Sequence, residues 1–580
     1  MRKTKIVCTL GPVINDAVLK ELVLQGLNVA RFNFSHGSHE EHGGRFDMVE
    51  RVRKETGMPI ATLLDTKGPE VRVCKFQDDK KVQLTKGNKF TLTVRDILGT
   101  EDIVSVTYKD LAKDMAPGKR ILLDDGLIEL VVDEIKDGTD IVCTIQNDGV
   151  VSNNKGVNLP DTRLSMPFIS EKDRGDIIFG IERGYDFIAA SFTRCADDIL
   201  EIRKILEEHN CNSIKIIAKI ENQEGVDNID EIIRVSDGIM VARGDMGVEI
   251  PGEEVPAIQK MIIKKTVAQG KQVITATQML DSMIRNPRAT RAEISDVANA
   301  IYDGTSAIML SGETAAGAYP VEAVKTMVRI ALKTEADIDY IKRFNQKGGD
   351  RAANVTSAIS HATCATAHDL GAAAIVTVTE SGRTARMISK FRPNCPILGC
   401  TTDFHVYNQM NLMWGVTPLL MDEKQSTDEL FAEALKVAEQ TAMLNKGELV
   451  VITSGYPVGT TGTTNMIKVD VVGNILASGV GIGKDAVSGS LCVGSSLEEV
   501  NDKFMEGDIL VVPKTTDDML PFLRRASGVI VEEEGNDSHA AAAAVALNIP
   551  AITGAVNATN ILKTGAIVTL EPTKGIVSNA

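Results

Sequence analysis

Lys219 and Glu221 stand two residues apart at the end of one short apolar run, and Asp245 follows the next. Residues two apart on a strand project to the same side, so the lysine and the carboxylate share a face that a second carboxylate can join. Two carboxylates and a few waters suit Mg²⁺, which keeps much of its water and takes few protein ligands beside phosphate oxygens. A lysine next to them supplies positive charge for a phosphoryl group in flight. A structural salt bridge between Lys219 and Glu221 is the plainer reading. Arg243-Gly244-Asp245 and Thr277-Gln278, at the ends of neighbouring runs, weigh toward a site.

Asn33, Ser35, Asp65 and Thr66 offer amide, hydroxyl and carboxylate oxygens without thiol or imidazole, a set suited to a hard cation. Gly244-Asp245-Met246-Gly247 reads as a short helical turn whose free N–H groups could hold a carboxylate, or simply as a turn. His36, His39 and His42 are spaced by three, and a solvated first helical turn accounts for them better than a metal site. The nearest approach to a Walker A motif, Gly481-Ile482-Gly483-Lys484, is followed by Asp485 rather than Ser or Thr. Its glycines read as a linker, so any nucleotide binds without a P-loop.

These residues need strands to hold them. Apolar runs of strand length recur at Lys5–Leu10, Val29–Phe34, Ile60–Leu64, Phe187–Ser191, Lys215–Lys219, Gly238–Ala242, Gln272–Ala276 and Ala307–Leu310. Amphipathic stretches such as Ala196–Glu208 and Pro256–Gln269 separate them, a pattern that predicts an α/β chain built on a (β/α)8 barrel over 1–67 and 167–340. Most of the runs end in polar residues, which such a barrel gathers at one mouth. Residues 68–166 read instead as several strands with turns at Lys86-Gly87-Asn88, Asp124-Asp125-Gly126 and Lys136-Asp137-Gly138: a small β-barrel domain inserted at that mouth and able to close over substrate.

A chain of 580 residues is too long for one core and suggests three or four domains. Its net charge of −16 argues against a general nucleic-acid binder, so anionic ligands must be held by local cations, metal ions or helix N-termini. Nine scattered cysteines without a C-x-x-C pair read as reduced thiols. No signal-like N-terminus and no apolar run near the ~20 residues of a membrane span is found, and a cytoplasmic protein is expected.

The motifs together resemble those of the pyruvate kinase family. The matching segments are Ala30–Gly37, Asp65–Arg72, Lys155–Pro160, Lys219–Asn222, Ala242–Gly247, Thr277–Leu280 and Met309–Thr314, and the resemblance covers Lys3 to about Val472. It implies transfer of the phosphoryl group of phosphoenolpyruvate to ADP, giving pyruvate and ATP. By the same match Lys219, Thr277 and Arg31 would be catalytic, with Thr277 or a water chain protonating the enolpyruvate. Glu221 and Asp245 would bind Mg²⁺ (or Mn²⁺); Asn33, Ser35, Asp65 and Thr66 would bind K⁺. Arg31, Lys219, Gly244, Asp245 and Thr277 would contact the substrate, Gly244 and Asp245 partly through backbone N–H groups. Asn33, His36, Arg72 and Lys155 would face the nucleotide. Glu70 is the residue found in family members that need K⁺, and a homotetramer is the family's usual assembly.

From about Asn354 the pattern becomes an α/β unit, 341–475, with strands at Ala374–Val378, Ile397–Gly399 and Leu449–Ile452. Thr379–Ala385 follows a strand and precedes a helix, as an anion-binding loop does. It resembles the family's effector-phosphate loop, which makes Thr377, Thr379, Ser381, Gly382, Arg383 and Thr384 candidates for a sugar-phosphate or AMP effector. Gly455–Gly462 looks like a second effector-facing loop. Residues 476–580 resemble the phosphohistidine domain of phosphoenolpyruvate-using enzymes, with His539 at the phosphorylated position and Asp537 where Thr is usual. Asp537 would repel a phosphate there, so a structural or assembly role is expected. Two rival readings are a dikinase-like relay through His539, which would need an ATP-grasp domain not found here, and a silent metabolite sensor, against which the set Arg31, Lys219, Glu221, Asp245 and Thr277 argues.

Overall fold

The structure, a computed structural model, describes residues 1–346, 354–424, 426–455, 464–473, 475–535 and 537–579. Contacts divide the chain into two compact units: Met1–Cys364 with Thr377–Leu420 and Ser454–Asn465, and Ala365–Val376 with Met421–Thr453 and Met466–Ala580.

In the first unit eight parallel strands close into a barrel: β1 (Lys5–Thr9), β2 (Val29–Asn33), β3 (Ala61–Asp65), β4 (Phe187–Ala190), β5 (Lys215–Ile220), β6 (Gly238–Ala242), β7 (Gln272–Ala276) and β8 (Ala307–Leu310). Every residue of β1, β3, β6, β7 and β8 is buried, as strands covered on both faces must be. Alternate residues fill the barrel: Val7, Val29, Leu63, Ala189 and Ile217 belong to its interior cluster. Two residues further on, the same period turns Thr9, Arg31, Asp65, Ser191 and Lys219 to the inside. The packed interior leaves these polar groups the rim, and the site follows from this parity.

The surrounding helices start and stop on strong signals. Ser38 and Thr290 form capping boxes for His39–Thr56 and Arg291–Asp303, and Ser170 caps Glu171–Arg183. Gly57, Gly304 and Gly184 end the three in the left-handed region. Within His39–Thr56 the sequence expectation of a solvated turn fails for one residue. His42 is 2% exposed and stacks on Phe34 at 4.0 Å, because the helix turns that face toward the barrel wall.

The insert between β3 and β4 is a half-barrel. Seven strands pair in the order Val71–Arg72, Gly156–Asn158, Arg120–Leu123, Ile128–Lys136, Asp140–Ile145, Lys89–Thr93, Ile103–Ser105, beside a two-stranded pair. Its turns carry Gly87, Gly126 and Gly138 at positive φ, and its own apolar core includes Phe76, Phe90, Leu130 and Ile141.

Beyond the barrel, Ile397–Thr401 and Val416–Leu420 pair in parallel; the second of these strands was missed in the sequence. In the second unit an eight-stranded mixed sheet runs from Ile475–Ser478 at one edge to Val480–Ile482 at the other. Gly481 is therefore no linker residue. It pairs opposite Ile552, and a Cβ there would sit 1.7 Å from the Pro572 carbonyl oxygen, so only glycine fits. Among the described residues no helix is long and apolar enough to cross a membrane.

Candidate active site

Arg31, Asp65 and Lys219 meet at the rim as one buried network. Arg31 donates through Nε to Asp65 Oδ2 at 2.6 Å and through Nη1 to Thr9 Oγ1 at 2.8 Å. Lys219 Nζ donates to Asp65 Oδ1 at 3.0 Å and to Ser191 Oγ at 2.7 Å, and lies 3.2 Å from Glu221 Oε1. Burial pulls the Lys219 ammonium down, but the charges of Asp65 and Glu221 outweigh it and hold it above the ordinary lysine range. Burial likewise pushes Asp65 up, and Arg31 with Lys219 overcomes that and keeps it below the usual carboxylate range.

Glu221 behaves differently. Burial drives it upward, Lys219 only partly opposes this, and Asp245 adds repulsion. No cation among the described residues lies within ion-pair distance of Asp245. Asp65, Glu221 and Asp245 thus face only two cations, Arg31 and Lys219. The uncompensated charge sits on two carboxylates with hard oxygen donors, which fits a divalent cation of the Mg²⁺ type. No group of three or more His, Cys, Asp or Glu side chains that could hold a metal ion is found among the described residues, so an ion held by Glu221 and Asp245 would need its remaining ligands from water and substrate.

The loop after β7 is strained. Thr277 and Gln278 have φ of 65° and 51°, unfavourable for a β-branched residue. Arg243 holds the turn, donating to the carbonyls of Ala276 (3.2 Å) and Thr277 (2.7 Å) while pairing with Asp296. Thr277 Oγ1 accepts from the Gly244 N–H at 2.7 Å and donates to Ala276 O at 2.6 Å. Gly244 and Asp245 lie in the first turn of helix Arg243–Glu249, the turn expected from the sequence. Glu313, 2% exposed, accepts from the N–H groups of Leu280 and Ser311 and so ties the β7 and β8 loops together.

The second oxygen cluster is assembled where β2 meets β3. Asn33 is paired with Asp65 in the ladder, and its Oδ1 accepts from the Ser35 N–H at 3.2 Å. Thr66 is buried, its hydroxyl donating to Ala189 O and accepting from the Ser191 N–H. Of the expected nucleotide-facing residues, His36 is exposed at the rim. Arg72 pairs with Glu70 at 2.6 Å, and Lys155 with Asp124 at 2.8 Å. A cleft of about 290 Å³ between barrel and insert is lined by Glu70, Asp125, Asn158, Asp245 and Glu249 among others. Across it Asn158 donates to Glu249 at 3.3 Å.

Sequence reasoning passed over Thr9, Ser191 and the Phe192 N–H, which donates to Glu221 Oε2 at 2.5 Å, and gave Arg243 no role of its own. Ser191 had a signal, a polar residue closing a buried run; the Phe192 amide, at φ 56°, had none. In the expected effector loop, Thr377 is buried with its hydroxyl on Leu398 O. Gly382 has φ 74° and caps helix Arg383–Lys390, and Thr384 shares a hydrogen bond with Thr464. Ser381 and Arg383 are exposed, and Thr379 is buried, its N–H donating to Cys400 O. Tyr456–Gly462, most of the second loop, lies outside the described residues.

A (β/α)8 barrel whose mouth holds a buried lysine, two metal-type carboxylates and a covering half-barrel defines a phosphotransferase that works by charge and positioning. Family models match in three stretches: "Pyruvate kinase, barrel domain" over residues 1–324, "Pyruvate kinase, alpha/beta domain" over 357–470 and "PEP-utilising enzyme, mobile domain" over 504–575. The pyruvate kinase of Geobacillus stearothermophilus is 50% identical over 99% of this chain and 98% of its own, and that of Sporosarcina psychrophila is 49% identical over 100% and 99%. The crystal structure of a pyruvate kinase from Cryptosporidium parvum, 38% identical, matches with a TM-score of 0.77 over 81% of this chain and 96% of that one. The chain belongs to the pyruvate kinase family, and its reaction is the conversion of phosphoenolpyruvate to pyruvate with formation of ATP.

Proposed function

We propose that Lys219, Arg31 and Thr277 are the catalytic residues of this reaction and that Glu221 and Asp245 hold Mg²⁺ or Mn²⁺. The observation that carries this is the charge imbalance at the rim: three buried or half-buried carboxylates against two cations, with Asp245 in no ion pair among the described residues. When bound, the divalent ion neutralises phosphoryl and carboxylate oxygens. Lys219, immobilised by Asp65 and Ser191, presents its charge to the transferring phosphoryl group without reorganising. Arg31 is fixed by Thr9 and Asp65 on the same rim. Gly244, Asp245 and Thr277 contact the substrate, and Asn33, His36, Arg72 and Lys155 face ADP once Arg72 and Lys155 exchange their intramolecular partners for phosphate. Thr277 or a water chain delivers the proton to the enolpyruvate.

K⁺ belongs with Asn33, Ser35, Asp65 and Thr66, whose oxygens are gathered at one strand pair. Domain boundaries at 1–67 with 167–340, 68–166, 341–475 and 476–580 fit this division of labour, in a cytoplasmic homotetramer. A sugar phosphate or AMP binds Thr377, Thr379, Ser381, Gly382, Arg383 and Thr384. A structural role for 476–580 is supported by His539, whose Nδ1 meets Thr515 Oγ1 at 2.8 Å and whose Nε2 meets Asp517 at 3.2 Å, a carboxylate that would repel phosphate. The deciding measurement follows pyruvate from phosphoenolpyruvate and ADP with Mg²⁺ and K⁺. Asp245→Asn is expected to lower the rate by about 10²-fold or more and to raise the Mg²⁺ requirement. An unchanged Mg²⁺ dependence would refute the ligand assignment. Isothermal titration with sugar phosphates and AMP tests the effector loop, and no heat with any of them removes it.

A further inference from the structure

Apart from the barrel mouth, a cavity of about 480 Å³ lies in the first unit among helix Val255–Ala268, helix Tyr340–Gln346, the segment Lys390–Arg392 and Trp414. That volume is within the usual range for a small-molecule site. One wall is aromatic: Tyr340 and Trp414 have ring centroids 5.3 Å apart, and His361 stacks on Phe344 at 4.8 Å and meets Phe391 edge-on at 5.4 Å. The charged lining runs against the net charge of the chain. Among the described residues, Lys260, Lys264, Arg343, Lys390 and Arg392 line it with one acid, Asp303, which Lys260 already pairs.

Arg392 is the informative member. The residue is 8% exposed, its guanidinium lies 4.5 Å over the Trp414 ring, and its backbone is held at φ 52°. Nη2 donates to Gly304 O at 2.9 Å and to Ser306 Oγ at 3.2 Å, but Nε and Nη1 are buried with no hydrogen-bond partner among the described residues. Burial draws this guanidinium down to about 9, and Tyr340 and Glu335 only partly restore it. Glu335 is itself committed to the N–H groups of Lys3 and Thr4. A buried cation with spare donors and no carboxylate is costly unless an anion completes it.

We propose that this cavity binds a small aromatic carboxylate, its ring against Phe344, Phe391 and Trp414 and its carboxylate toward Arg392, with Arg343 and Lys264 guiding entry. Neither the substrate-contacting residues nor the effector loop lines it.

Trp414 is the only tryptophan of the chain, so the site carries its own reporter. The full-length protein is titrated with 3-phenylpropanoate, which is transparent where tryptophan is excited, and bound ligand is counted in parallel by equilibrium dialysis. The expected result is a saturable change in Trp414 emission with one site per chain. Propanoate and 3-phenylpropanamide are expected to bind at least about tenfold more weakly. The variant Lys264→Glu, at an exposed side chain, is expected to weaken 3-phenylpropanoate roughly threefold or more while leaving the unliganded emission spectrum and thermal midpoint unchanged. No saturable binding by dialysis, binding without a change in Trp414 emission, or equal affinity for the amide overturns the proposal.

Discussion

Asp65 accepts from both Arg31 and Lys219, so each of the three holds the others in place. Replacing Lys219 by Met removes the charge proposed to face the phosphoryl group and leaves Asp65 and Glu221 short of a buried partner. Pyruvate formation is expected to fall by about 10²- to 10³-fold. Stability should fall too, by on the order of 3 kcal/mol, read as a lowered urea midpoint. An activity loss without that shift would mean that the network is looser than its distances. At Glu70, engaged here by Arg72, the residue type argues for K⁺ activation. Exchange of K⁺ for Na⁺ or a tetraalkylammonium ion is expected to depress the rate severalfold or more, and an unchanged rate counts against the K⁺ site. At this scale the placement of Lys219, Glu221 and Asp245 at one mouth was legible from polar residues at successive strand ends, whereas Arg31 entered only through the family resemblance. It was silent on backbone donors such as the Phe192 N–H, which depend on a positive φ that nothing in that residue type announces.

All eight barrel strands agree with their sequence boundaries to within a residue, since runs buried on both faces leave little latitude. The edge strands Val416–Leu420 and Val480–Ile482 were not legible: one contains Pro418 and the other Gly481, which break the pattern. Two predictions belong to elements. Gly68 sits at φ 73° where β3 leads into the insert, and a Cβ would lie 2.7 Å from the Ser191 carbonyl oxygen. Gly68→Ala is expected to cost about 2 kcal/mol or more and to lower turnover by displacing Ser191 from Lys219, as differential scanning calorimetry and kinetics would record. Glu249, where helix Arg243–Glu249 meets the insert, is pushed up to about 7 by burial. A carboxyl raised in the folded state binds its proton more tightly there than in the unfolded chain, so stability declines as pH rises from about 4.5 toward 7. Glu249→Gln is therefore expected to raise the thermal midpoint above pH 7, with the gain fading toward pH 5. A gain independent of pH would rule out titration of Glu249 as its source.

Taken whole, the chain adds to the kinase a C-terminal sheet whose histidine is already engaged by Thr515 and Asp517. His539→Ala is expected to leave pyruvate formation within about twofold of the parent. Mass spectrometry after incubation with phosphoenolpyruvate should find no phosphate on His539; phosphate there would restore the relay reading. The barrel itself sets a condition of another kind. β1 pairs with β2 on one side and with β8 on the other, Lys5 opposite Ala307, so the first strand made must wait for nearly the last to close the ring. At a synthesis rate of about 5–20 residues per second, that wait is roughly 15–60 s on the ribosome. Throughout it the nascent chain shows an open strand edge, the kind of surface that recruits neighbours and chaperones. Catalytic competence therefore cannot precede the synthesis of β8 and Glu313. No shorter fragment of this chain should turn over substrate.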